Sequence, residues 1–224
     1  MFRTTKQRLA ACTAAAAVAA AAASFAAPTT ATGAAARSEL TYGSIILLQN
    51  QYGGDGGYLD TNGVANQPGA TYNVSTNNRP NSRGPATSEW RVVSATGKAN
   101  GSRVVSGDVV YLVNQYGSRH TYLDANGVSG QPGAKYKVSA TTTKDRGPGT
   151  GKWHIFGVRS APNDGRIRTD DIVRLLNDYG SANGGFLDTN GRSAQGGGAK
   201  YAVSTSPYSD RGSGTGSWKV LPTT

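Results

Sequence analysis

From Leu40 onward the chain alternates short apolar runs with polar, glycine-rich connections, and both recur. Ile46 and Leu48 point the same way in an alternating run, as do Val110 with Leu112 and Val173 with Leu175. A period of two over a handful of residues predicts half-buried strands. A second run reads Tyr58-Leu59-Asp60-Thr61-Asn62-Gly63, then Tyr122-Leu123-Asp124-Ala125-Asn126-Gly127, then Phe186-Leu187-Asp188-Thr189-Asn190-Gly191. A third is Tyr72-Asn73-Val74-Ser75, repeated as Tyr136-Lys137-Val138-Ser139 and Tyr201-Ala202-Val203-Ser204. A fourth opens on tryptophan: Trp90, Trp153 and Trp218 precede Val92-Val93, Ile155-Phe156 and Val220-Leu221. A further short strand is expected at the head of each unit, at Leu40, Val104-Val105 and Ile167. The Asp-x-Asn-Gly segments predict hairpin ends, because glycine takes positive φ freely and Asn or Asp tolerates it.

Four blocks in one order, three times, at a spacing of about 64 residues, define an internal repeat. The units span residues 40–102, 103–165 and 166–224 and abut without linkers. One unit of about four strands cannot cover both its faces. Three that close around a common axis can, and closure removes exposed edges. The predicted fold is therefore all-β, a β-trefoil of about twelve strands in which the matched Leu, Val and Trp positions meet in one core. No helical period follows the leader.

The leader changes where that domain acts. Arg3, Lys6 and Arg8 precede the alanine-dominated run Leu9 to Ala23, and Ser24 and Ala26 fit a cut before Ala27. This is the pattern of a secretory signal peptide, residues 1–26, with a later cut near Ala36 as an alternative. A flexible segment, residues 27–39, is expected before the domain. Alanine is only weakly apolar and the run is short, which argues against stable membrane insertion. Cys12 stands near the start of the apolar run, with most of the run after it rather than before it, so it does not fit a lipobox. It is the single cysteine of the chain, which leaves the exported form without disulfide or thiol chemistry. The expected location is extracellular, with a bacterial source.

The net charge of +10 favours anionic partners. Outside a cell those are acidic polysaccharides, wall polymers or lipid headgroups rather than nucleic acid.

The run Gly107-Asp108-Val109-Val110-Tyr111-Leu112-Val113-Asn114, with Tyr122-Leu123-Asp124, Val138-Ser139 and Trp153-His154-Ile155, resembles the repeat of MIR-type β-trefoils. Those are known from protein O-mannosyltransferases and calcium-channel receptors. The resemblance covers all three units, and a looser one extends to ricin-B-like lectins. It implies the trefoil fold and, more weakly, sugar binding. Two departures stand out. Asp60, Asp124 and Asp188 occupy the place where MIR repeats usually carry His. The Gln-x-Trp of ricin-B lectins is absent, since Glu89, Lys152 and Ser217 precede the tryptophans.

Catalytic equipment is sparse. Beyond the leader there are two histidines, His120 and His154, and two glutamates, Glu39 and Glu89. No nucleophile elbow, phosphate loop or zinc motif appears, so neither an enzyme nor a metal or other cofactor is expected. The repeated polar and aromatic residues are the binding candidates: Asn50, Tyr52, Asp60 and Asn62; Asn114, Tyr116, Asp124 and Asn126; Asn177, Tyr179, Asp188 and Asn190. Tyrosine rings can stack on a pyranose while Asp and Asn accept from its hydroxyls. The same Asp-x-Asn-Gly can instead merely shape a turn, and the tyrosines can be core. Arg83, Arg146 and Arg211 recur in the loops before the tryptophans, where a structural role competes with anion binding. The expected function is a lectin-like binding protein for cell-surface or extracellular carbohydrate or an anionic wall polymer. The alternative is a secreted protease inhibitor acting through the loop at residues 76–88.

Overall fold

A computed structural model describes residues 37–159 and 163–223. The leader and both expected cleavage points lie outside the described residues.

Among the described residues the chain is all-β, with twelve strands and two single turns of helix. The first unit holds β1 (Ile45–Asn50), β2 (Gly57–Val64), β3 (Tyr72–Asn77) and β4 (Trp90–Ser94). The second holds β5 (Asp108–Asn114), β6 (Thr121–Val128), β7 (Tyr136–Thr141) and β8 (Trp153–Gly157). The third holds β9 (Ile172–Asn177), β10 (Gly185–Arg192), β11 (Ala199–Ser206) and β12 (Trp218–Pro222). All pairings are antiparallel. The first and last strands of the units form a closed ring: β1–β4–β5–β8–β9–β12 and back to β1. The middle strands form three hairpins, β2/β3, β6/β7 and β10/β11. These close on one another through β3–β7, β7–β11 and β11–β3.

Each tryptophan explains one joint of this plan. Trp90, Trp153 and Trp218 are fully buried, and each indole N–H donates to a backbone carbonyl of its own hairpin at 2.9 Å: Leu59, Leu123 and Leu187 respectively. The strand that opens with Trp is thereby pinned beneath the hairpin that precedes it. Around the indoles lie Leu48, Leu112 and Leu175, the hairpin leucines, and Val92, Ile155 and Val220. The matched side chains form one cluster, and truncating any of the tryptophans costs on the order of 3–5 kcal/mol.

Three expectations need correction. The segments at Leu40, Val104 and Ile167 are single bridges rather than strands. Their backbones bond in a cycle, Leu40 N–H to Ile167 O, Ile167 N–H to Val104 O, and Val104 N–H to Leu40 O, at 2.8–3.0 Å. Three segments meeting at one point leave each only enough length for its neighbour. Residues 37–39 are not free: Arg37 pairs with Asp171, the Ser38 N–H donates to Thr169 Oγ1, and Glu39 bridges Arg103 and Arg166. Those cations hold the Glu39 carboxyl below its ordinary range. The Asp-x-Asn-Gly segments do not end the hairpins. They lie inside β2, β6 and β10, where the register slips between Asn62 and Val64, Ala125 and Val128, and Thr189 and Arg192. Gly63, Gly127 and Gly191 carry φ of +63°, +68° and +67°, so the glycine makes a bulge that kinks the strand.

Candidate functional site

The site residues are best understood from the support upward. Asn50, Asn114 and Asn177 end their strands and are fully buried. The Asn114 amide donates to Thr87 O and Glu89 O at 2.9 and 3.2 Å, and its oxygen accepts from the Tyr116 N–H and Thr61 Oγ1. Asn50 makes the equivalent bonds to Thr215 O and the Tyr52 N–H, and Asn177 to Thr150 O and the Tyr179 N–H. Each asparagine therefore ties the loop of the preceding unit to its own strand end. A ligand cannot reach them.

Asp60, Asp124 and Asp188 are also fully buried, and the structure moves them from the ligand surface to its foundation. Each faces the arginine of its own unit. Arg83 Nη1 lies 3.2 Å from Asp60, while Ser88 Oγ donates to the other carboxylate oxygen at 2.6 Å. Arg146 grips Asp124 through Nε at 2.9 Å and through Nη2, and Arg211 grips Asp188 through the same two nitrogens at 2.9 and 2.7 Å. Burial pushes all three carboxyls above the ordinary aspartate value, more than the hydrogen bonds and the guanidinium hold them down. Asn126 and Asn190 are nearly buried and donate to Pro68 O and Pro132 O of the preceding unit, and Asn62 donates to Gln195 Oε1 at 2.7 Å.

Asn62 stays partly exposed, and Tyr52, Tyr116 and Tyr179 are the predicted aromatic residues that remain at the surface. Each meets, edge to face, the first tyrosine of a third-block strand in the preceding unit. The pairs are Tyr116 with Tyr72 at 5.5 Å, Tyr179 with Tyr136 at 5.5 Å, and Tyr52 with Tyr201 at 5.3 Å between ring centres. Tyr52 and Tyr179 keep 38% of their surface exposed.

Beside each pair opens a cleft. The first, about 180 Å³, is lined by Tyr72, Tyr116, Arg83 and Thr87, with Gly63 and Val64 at its rim. The second, about 320 Å³, has Tyr136, Tyr179, Arg146 and Thr150, with Gly127 and Val128. The third, about 550 Å³, has Tyr201, Tyr52, Arg211 and Thr215, with Gly191 and Arg192. Three clefts thus present one constellation: two phenols, a guanidinium and a threonine. The bulge builds it, because the slip after Asn-Gly brings Val64, Val128 and Arg192 opposite Tyr72, Tyr136 and Tyr201. Tyr72, Tyr136 and Tyr201 and the three threonines are site residues that sequence reasoning passed over. Their threefold recurrence was the available signal.

The loop at residues 76–88 is internally braced. The Asn81 and Ser88 side chains each accept from the other's backbone N–H, at 3.0–3.1 Å, and Asn77 Nδ2 donates to Ser82 Oγ. Arg79 is exposed and followed by Pro80, while Arg83 is committed to Asp60, Ser75 and Gly197. Among the described residues no cluster of three or more Cys, His, Asp or Glu could hold a metal ion, and no helix is long and apolar enough to cross a membrane.

No family model matches this chain. Nor does any curated protein match it by sequence. Solved structures do. A protein of unknown function from Caenorhabditis elegans aligns over 84% of this chain and 99% of its own, with TM-score 0.64 and 15% identity. The SDF2-like protein from Arabidopsis thaliana aligns over 82% and 98%, with TM-score 0.58 and 18% identity. The Saccharomyces cerevisiae protein O-mannosyltransferase Pmt1–Pmt2 complex, bound to the sugar donor, aligns over 83% of this chain and 25% of its own, with TM-score 0.61 and 20% identity. At these identities the likeness carries the β-rich fold alone.

Proposed function

We propose that the protein is an exported β-trefoil of the MIR-like kind that binds carbohydrate without transforming it. The observation that carries this reading is the threefold recurrence of the tyrosine pair, arginine and threonine in three surface clefts. A phenol ring accepts the apolar face of a pyranose, and a guanidinium and a hydroxyl offer hydrogen bonds to its rim. Each cleft is shallow, so each site is weak, and three on one rigid body gain avidity on a polymer. The carboxylates beneath the clefts are engaged with arginine, which leaves a poor general acid or base. Export rests on the leader pattern at residues 1–26. The basic surface favours a cell-surface or wall polymer as the target, with no role for nucleic acid or an inserted membrane segment. The protein O-mannosyltransferase among the structural neighbours, bound to its sugar donor, adds only a fold-level analogy.

The test is titration of the exported protein with a panel of neutral and acidic oligosaccharides, followed by NMR of the tyrosine rings. Tyr116→Ala should remove perturbations at Tyr72 alone, and Tyr52→Ala/Tyr116→Ala/Tyr179→Ala should abolish binding with the fold intact by circular dichroism. Absence of binding at millimolar oligosaccharide and to whole wall polymers overturns the reading.

A further inference from the structure

The three clefts are copies, so their differences are informative. At the rim position opposite the hairpin tyrosine, the first cleft carries Val64 and the second Val128, exposed at 79% and 76%. The third carries Arg192. The charge balance changes with it. In every cleft the floor arginine is matched by its aspartate: Arg83 by Asp60, Arg146 by Asp124, Arg211 by Asp188. The lysines behind the rings are also occupied. Lys135, over Tyr136, binds Asn183, and Lys200, over Tyr201, binds Asp55. Nearby Asp210 is held by the Gly212 N–H and the Thr215 and Ser217 hydroxyls. Among the described residues Arg192 makes no ion pair, and it is the only arginine lining a cleft without a carboxylate partner. The third cleft is also the largest, at about 550 Å³ against 320 and 180 Å³.

We infer that the third cleft, closed by Tyr201 and Tyr52, takes an acidic pyranose, one bearing a carboxylate or phosphate oxyanion, while the other two take neutral sugars. The inference rests on the carbohydrate reading above. The Arg192 fork pairs the oxyanion, Tyr52 and Tyr201 carry the ring, and Arg211 remains with Asp188 as the floor. One molecule then recognises a mixed polymer at an acidic unit and at neutral units together.

The experiment titrates the exported protein with a glucuronate-containing tetrasaccharide, with its carboxyl-reduced counterpart, and with inorganic phosphate. The Tyr52 and Tyr201 ring signals are followed apart from Tyr72, Tyr116, Tyr136 and Tyr179. The uronate should bind the third cleft about 2- to 5-fold more tightly than the reduced sugar, the range of an exposed ion pair, and the difference should vanish in high salt. Arg192→Val installs the residue native to the other clefts. It should erase the preference and keep neutral binding, while Val128→Arg should confer the preference on the second cleft. Inorganic phosphate should compete at Tyr52 and Tyr201 alone, because the Arg192 fork pairs either oxyanion. Equal binding of both tetrasaccharides, or a preference that survives Arg192→Val, overturns the inference while the carbohydrate reading stands. Failure of every sugar at every cleft overturns both.

Discussion

Removing the arginine beneath one cleft should damage the fold more than removing the aspartate it holds. Asp124 is fully buried, whereas the Arg146 side chain keeps 23% of its surface in contact with water. Arg146→Met therefore strands an ionised carboxylate in the interior. Stranding one partner of a buried ion pair costs about 3–5 kcal/mol. Asp124→Asn leaves a guanidinium that water still reaches, together with a neutral amide that continues to accept, so the loss should be about 1–2 kcal/mol. In the double variant no charge is stranded, and most of the Arg146→Met loss should return. At about 2–4 °C per kcal/mol for a domain of this size, Arg146→Met lowers the melting temperature by roughly 6–20 °C. The pH response provides an independent check. Burial already raises the Asp124 pKa above its unfolded value, and loss of Arg146 raises it further. An acid whose folded pKa lies above its unfolded one binds protons more tightly when folded. The variant's deficit should thus shrink as pH falls through the folded pKa, with the relief complete below the unfolded value near 4. Urea melts of the two single variants and the double, at pH 7 and pH 4.5, form the double-mutant cycle. A loss below 1 kcal/mol for Arg146→Met, or a double variant as unstable as the sum of the singles, would refute the reasoning.

Two further predictions concern the supports of the site. Asn114→Ala should lower stability by about 1–3 kcal/mol in a chemical melt, because the Tyr116 N–H loses its acceptor and the buried carbonyls Thr87 O and Glu89 O each lose one donor, keeping the Thr61 and Gln115 N–H groups, while sugar affinity at the second and third clefts stays unchanged. Asp145 and Asp210 brace the loops before Trp153 and Trp218; burial raises both carboxyls, but backbone N–H groups, with Lys152 at Asp145 and the Ser217 and Thr215 hydroxyls at Asp210, outweigh it and hold them below the ordinary value. Their stabilisation is present above the unfolded pKa and is lost as pH falls through the folded one, so below about pH 4 amide exchange should quicken at Gly149 and Gly151 and at Gly212, but not at Ser88, whose partner Asn81 does not titrate; equal loosening of all three loops would show that the aspartates are not the cause.

The sequence alone determined the four main strands of each unit, their threefold grouping and the matched Leu, Val and Trp positions of the core, but not that the segments opening the units are single bridges. Those properties are local or periodic: an alternating apolar run must bury one side, and the matched tryptophans, the largest apolar side chains of their units, must be buried in the core. The tyrosines at Tyr52, Tyr116 and Tyr179 were visible as candidates for the same reason. The tertiary structure decided what the polar repeats are for. Positive φ at an Asn-Gly suits a hairpin end and a bulge equally, and only the partner strand, with its slipped register, selects the bulge. A buried Asp and an exposed Asp are the same letter, and only the arginine brought in from a loop more than twenty residues away makes burial tolerable. The clefts themselves belong to no single unit. Tyr52 near the start of the chain completes the site of Tyr201 near its end, because closing the ring of strands sets the last unit beside the first, and no local pattern records which neighbour a surface ring will meet.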